Sequence, residues 1–144
     1  MPLPAPQPGL VIGYSYLWRD QERGGETEGR KDRPCAIVVA TTDEDGDTLV
    51  YVVPITHAQP DNDPHAIELP RGAKRRLGLD AARSWIVTSE LNRFVWPGYD
   101  LRPVSRDAPD VFARGFLPVE LFEAVKQGIG RHQRARRLAV VDRE

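Results

Sequence analysis

The chain is almost without cysteine. Cys35 stands alone among 144 residues, which excludes an internal disulfide and leads us to expect a reducing, cytoplasmic setting. Histidine is scarce as well. His57, His65 and His132 stand at no spacing that gathers metal ligands, so neither a metal nor another cofactor is expected. Net charge is nearly absent: 20 basic residues face 21 acidic ones, for a formal charge of −1. No global field then draws in nucleic acid, and electrostatic recognition has to come from local patches. No apolar run reaches the roughly 20 residues of a membrane-spanning helix, so no membrane partner is expected. Residues 1–8 contain four prolines and no charged region leading into an apolar one. They read as a poorly ordered lead rather than a signal peptide.

What is present is the composition of an ordinary soluble domain, 40% hydrophobic and 28% charged, expected to span 9–144 as one unit. Its organising stretch is Lys31-Asp32-Arg33-Pro34-Cys35-Ala36-Ile37-Val38-Val39-Ala40, a charged cluster running into an apolar strand of the kind buried on both faces. Asp43-Glu44-Asp45-Gly46-Asp47 follows as an acidic turn, and Leu49-Val50-Tyr51-Val52-Val53-Pro54-Ile55 as a second, β-branched run. The two read as a hairpin. If its turn centres on Asp45, Arg33 falls opposite His57 and Pro34 opposite Thr56. A slip of one residue places Arg33 opposite Thr56, and the pattern alone leaves both registers open. Either one gathers an arginine, a hydroxyl and an imidazole at the open end.

Before this hairpin, Leu10 to Trp18 reads as a strand, and Arg19 to Arg30, with three glycines and charges of both signs, as a long mobile loop. After it come short strands at His65–Leu69, Trp85–Thr88, Glu90–Trp96 and Leu101–Val104. Arg71–Leu79 reads as a single helical turn carrying four cations. Pro118–Arg137 is the one good helix, with Leu121, Phe122, Val125 and Ile129 as an apolar stripe and His132 as a marginal continuation. Five or six short strands and one terminal helix predict a mainly β fold, a small curled sheet or barrel, with a helical extension over about 105–144.

Several of these segments resemble the MazF/PemK-type toxins of type II toxin–antitoxin pairs. The similarity runs over Pro8-Gly9-Leu10-Val11, Lys31-x-Arg33-Pro34-x-x-x-Val38-Val39, Val53-Pro54-Ile55-Thr56 and Glu90-Leu91-Asn92-Arg93, within roughly 8–104. It implies an SH3-like β-barrel, a homodimer, a cognate antitoxin partner, and a metal-independent endoribonuclease acting on single-stranded RNA. Arg33 matches the family's functional arginine and Thr56 its functional threonine. The chain departs from the family in the length of 19–30, in His57 where a small polar residue is common, and in the segment after Val104.

Metal-free RNA cleavage needs a base for the attacking 2′-hydroxyl, donors for the phosphoryl oxygens and an acid for the leaving oxygen. Arg33 offers a fixed fork of donors, Thr56 a hydroxyl, and His57 an imidazole suited to acid or base work, with Glu22 of the mobile loop as a second base. Lys31, Arg71, Lys74, Arg75 and Arg76 are candidate contacts to an RNA backbone. Trp18, Trp85 and Trp96 suit base stacking, although most are expected in the core. The plainer readings are that Arg33 pairs with Asp32 or Glu28, that His57 is a loop histidine, and that Arg131, Arg134, Arg136 and Arg137 simply suit the helix dipole. A barrel that acts by binding protein, as gyrase-poisoning toxins do, is the alternative to a nuclease.

Overall fold

Two β-branched runs around an acidic turn form the centre of the fold. The computed structural model describes residues 3–27, 29, 31–61 and 63–143. The runs become β2 (Arg33–Thr42) and β3 (Thr48–Thr56), numbering β1 (Leu10–Tyr14) and α1 (Arg19–Arg23) before them. The turn is tied by Asp43, whose Oδ1 accepts the Asp45 and Asp47 amides at 2.9 Å each, and Gly46 takes φ +85°, where a side chain would be strained. Near the turn the pairing is Thr42 with Thr48 through Val39 with Tyr51, as for a turn centred on Asp45. The register then shifts at Val38, and Ile37 pairs with Val52, Ala36 with Val53 and Cys35 with Pro54. Continued two residues, the shifted register sets Arg33 level with Thr56.

The other elements follow as β4 (Ile67–Glu68), α2 (Arg71–Arg76), β5 (Trp85–Ile86), β6 (Glu90–Val95), β7 (Leu101–Arg102), β8 (Ala113–Phe116), α3 (Val119–Arg134) and β9 (Ala139–Asp142). β3 changes partner along its free side, pairing β6 over Leu49–Val52 and β5 at Ile55 and Thr56. β1 lies against β2 and is flanked on its far side by β8 and then β7. Every pairing is antiparallel except β6 with β9. The nine strands form one mainly β sheet whose strand path stays open, so the closed small barrel expected from the sequence is not seen among the described residues. The segment after Val104, read as a helical extension, also supplies β8 and β9. Each is four residues long, and β8 carries Gly115, so neither shows a strand signal of useful length. The 19–30 stretch, expected as a loop, holds the short helix α1; Glu28 and Arg30 lie outside the described residues.

Both faces of the central hairpin are covered, as its apolar run predicts. Ala36, Val38, Val53 and Ile55 face a core with Val11, Leu77 and α3. Cys35, Ile37, Val50 and Val52 face a second core with Ile12, Tyr14, Tyr16 and Phe94. The helix stripe packs on the first: Val125 is fully buried, and Leu121, Phe122 and Ile129 lie against it. Gly128 suits a tight approach, since a Cβ there would stand 3.0 Å from Thr88 Cγ2 and 3.2 Å from the His65 carbonyl oxygen. Among the described residues no helix is long and apolar enough to cross a membrane.

Two buried polar networks fix the periphery. Asn92 accepts the Leu17 amide at 2.9 Å, donates to the Leu17 carbonyl at 2.8 Å, and accepts from Arg143, which also donates to the Ser15 carbonyl and pairs with Asp100 at 2.9 Å. The chain end is thereby bound to β6 and to the residues after β1. On the other side Asp63 accepts the Thr88 amide at 2.6 Å, the Thr88 hydroxyl, the His65 amide at 3.0 Å and His132 Nε2 at 2.6 Å. Burial opposes ionisation of Asp63, but these donors together outweigh it and hold the carboxyl below its usual range.

A carboxyl group depressed in the folded state stabilises the fold above its unfolded pKa of about 3.9, and that contribution is lost as pH falls through the folded value. Asp63→Asn should therefore destabilise the protein by roughly 1–3 kcal/mol at pH 7. The gap from wild type should begin to narrow below about pH 4 and go on narrowing as pH falls further, as seen in urea midpoints across pH. A gap that persists unchanged at pH 3 and below would contradict this assignment.

Candidate active site

Arg33 opens β2 opposite Tyr14 of β1. Its guanidinium lies 5.0 Å from the centre of the Trp18 ring in a cation–π contact, with no acidic partner among the described residues; Glu28, one partner expected from the sequence, lies outside them. Asp32, a possible partner by sequence, instead meets Arg102 at 3.6 Å. Arg33 Nε is buried and has no hydrogen-bond partner among the described residues. Burial lowers the pKa of Arg33, but a guanidinium remains charged, so it keeps unspent donors. Thr56 ends β3, half-buried; its Oγ1 accepts the Ala58 amide at 3.2 Å, which leaves the hydroxyl proton free to donate.

These two residues, with Lys31, form the wall common to two clefts. One, of about 300 Å³, contains His57, Asp80 and Ser84. The other, of about 470 Å³, contains Trp18, Asp20 and Glu90. His57 Nδ1 is 3.0 Å from the Arg83 carbonyl and Nε2 is 3.1 Å from Asp80, and only the doubly protonated ring can donate to both. Ser84 is buried beside them, its Oγ without a partner among the described residues.

The carboxylates that line these two clefts do not include the one expected. Glu22 lies on α1, exposed, and lines neither cleft. Glu90, at the start of β6, does. Its Oε1 accepts the Arg19 amide at 3.0 Å and the Tyr16 hydroxyl at 3.2 Å. Burial raises its pKa, and these donors only partly offset that rise. The polar opening Glu90-Leu91-Asn92-Arg93 contains the signal, but nothing in the local sequence says that Glu90 meets the Trp18 turn. The other tryptophans are not free platforms for bases: Trp85 is buried under Arg83 at 4.9 Å, and Trp96 packs against the second core.

The basic patch divides. Lys31 lies on the shared wall, and Arg71 and Arg75 line a further cleft that meets the His57 cleft at Leu79 and Asp80. Arg76 is exposed and lines none of these. Lys74 lines the cleft of Arg71 and Arg75 as well but is itself buried, and its ammonium donates to the Ala81 and Ala82 carbonyls at 3.2 and 2.9 Å, binding α2 to the loop that carries Arg83. Cys35 is a fully buried core residue, with burial holding its thiol well above the usual range. Among the described residues no three histidine, cysteine or acidic side chains are grouped to hold a metal ion. The chain matches no protein-family model, and none of the curated proteins shows significant similarity to it.

Lys74→Ala should cost about 1–3 kcal/mol in urea unfolding, because two buried carbonyls lose their donor, whereas Arg75→Ala should change stability by less than about 0.5 kcal/mol. Equal effects of the two would put Lys74 back on the surface.

Proposed function

We propose that this protein is a metal-independent endoribonuclease that cleaves single-stranded RNA, acting as a MazF/PemK-like toxin of a type II toxin–antitoxin system. One observation carries the reading: Arg33 and Thr56, which match the functional residues of that family, form a wall common to two clefts, with His57 in one and Glu90 in the other. A phosphate against this wall would meet the Arg33 fork, the Thr56 hydroxyl and the Lys31 ammonium. Such donors stabilise charge that develops on phosphoryl oxygens. Glu90, whose raised pKa suits a base, accepts the proton of the attacking 2′-hydroxyl. As the new O–P bond forms, the P–O5′ bond breaks, and imidazolium His57 protonates the leaving oxygen. The products are a 2′,3′-cyclic phosphate and a 5′-hydroxyl, and no outside electron donor or acceptor is needed.

This reading brings its own fold and partners. An SH3-like barrel is supported by the partner changes of β1 and β3, which are how a small sheet bends toward closure. A homodimer, a cognate antitoxin and a cytoplasmic setting come with the family resemblance.

Arg33→Ala and Thr56→Ala should each lower the cleavage rate of a defined single-stranded RNA, measured with EDTA present, by about 10²–10³ while circular dichroism stays that of wild type. His57→Ala should lower it by a comparable factor. The wild-type rate should rise with pH as Glu90 ionises, with a midpoint above the ordinary glutamate value of about 4.3, and Glu90→Gln should remove that limb. If Arg33→Ala and Thr56→Ala both cut at the wild-type rate, the nuclease reading fails and a protein-binding barrel takes its place.

A further inference from the structure

Past Glu90 the Trp18 cleft meets another, of about 380 Å³, with which it shares Asp20, Ser89 and Glu90. The remaining walls come from α1 and from the end of α3: Arg19, His132, Arg136 and Arg137. Three arginines and two acidic residues thus line one cleft, and Glu90 is the carboxylate that burial makes harder to ionise. The cleft lies on the far side of Glu90 from Arg33 and is separate from the Arg33–Thr56 wall.

The end of α3 has an unusual chemistry. The Arg136 amide donates to the Gln133 carbonyl and the Arg137 amide to the His132 carbonyl, the bonding of a Schellman turn. Arg136 occupies its left-handed position, with φ +58°, where glycine is the usual occupant because a Cβ is penalised. Stabilising the helix end does not call for an arginine there. Neither the Arg136 nor the Arg137 guanidinium has a hydrogen-bond or ion-pair partner among the described residues, and both side chains are exposed. Beside them His132 is 2% exposed. Asp63 engages its Nε2, and its Nδ1 is buried without a partner among the described residues.

We infer that the cleft formed by Arg19, His132, Arg136 and Arg137 is a phosphate-binding subsite that holds the backbone of a single-stranded RNA beyond the scissile position. The inference rests on the nuclease reading above. Arginine forks fit phosphate oxygens in pairs, and a positively charged groove continuous with a cleavage site is what a flexible polyanion follows. The C-terminal helix, which the sequence leaves as an appendage, then becomes part of substrate recognition.

The test uses the full chain and a fluorescent 2′-O-methyl oligoribonucleotide, which binds like RNA but lacks the attacking hydroxyl. Arg136→Gly/Arg137→Ala should weaken binding at low salt by about tenfold or more. It should also lower the slope of log affinity against log salt by about 1.4, or about 0.7 for each phosphate that is no longer neutralised. Its Tm should be equal to or above that of wild type, since glycine suits the left-handed position. Arg136→Lys/Arg137→Lys should retain most of the affinity. Unchanged affinity and slope in the Gly/Ala variant would overturn the subsite, and would leave the nuclease reading standing if Arg33→Ala still slows cleavage by about 10²–10³. A wild-type protein that neither binds the probe nor cuts RNA would overturn both.

Discussion

The bulge at Val38 decides what the central hairpin can do. Side chains alternate across a strand, so a register shift of one residue moves every later pairing to its neighbour. Turnward of Val38 the pairing follows a turn centred on Asp45; beyond it, the shift brings Arg33 level with Thr56 instead of His57. A single strand can then fill two cores, with Ala36 and Val38 on one face and Cys35 and Ile37 on the other, and still end with a cation beside a hydroxyl. His57 is thereby moved past the strand end, where the Arg83 carbonyl and Asp80 hold its ring across a cleft from Arg33.

Charges in this protein fall into two groups by what surrounds them. Those that hold elements together are paired and saturated: Asp63 takes four donors from three segments, and Arg143 is shared among Ser15, Asn92 and Asp100. Burying such groups is tolerable because several charge-assisted hydrogen bonds offset their desolvation. The groups along the clefts are left incomplete, as with Arg33 Nε, Ser84 Oγ and His132 Nδ1. The Trp18 ring holds Arg33 in position without consuming its donors, as an acidic partner would.

The hairpin is legible in the sequence because two β-branched runs around an Asp-Gly turn admit few other arrangements, and the stripe of α3 because its apolar spacing is helical. Of the two registers open to Arg33, the choice depends on a bulge, and nothing in Ile37-Val38-Val39 distinguishes the residue that goes unpaired. β8 and β9 leave no such trace, because each is short and paired with strands more than 45 residues away. Lys74 looks like its neighbours Arg75 and Arg76, since cationic residues on a short helix reveal which one is turned inward only through what lies beneath, here the Ala81 and Ala82 carbonyls. Glu22 owes its candidacy to a place in an expected loop; α1 turns it away, while β6 brings Glu90 to the Trp18 turn.

The central claim is that a 2′-hydroxyl attacks a phosphate held by Arg33 and Thr56. Its most direct test is the chemistry of the ends produced when purified protein is incubated with single-stranded RNA in EDTA. The account predicts fragments ending in 2′,3′-cyclic phosphate and beginning with 5′-hydroxyl, and no cutting of the same sequence as DNA. Fragments with 5′-phosphate and 3′-hydroxyl ends, or RNA left intact at high protein concentration, would contradict it.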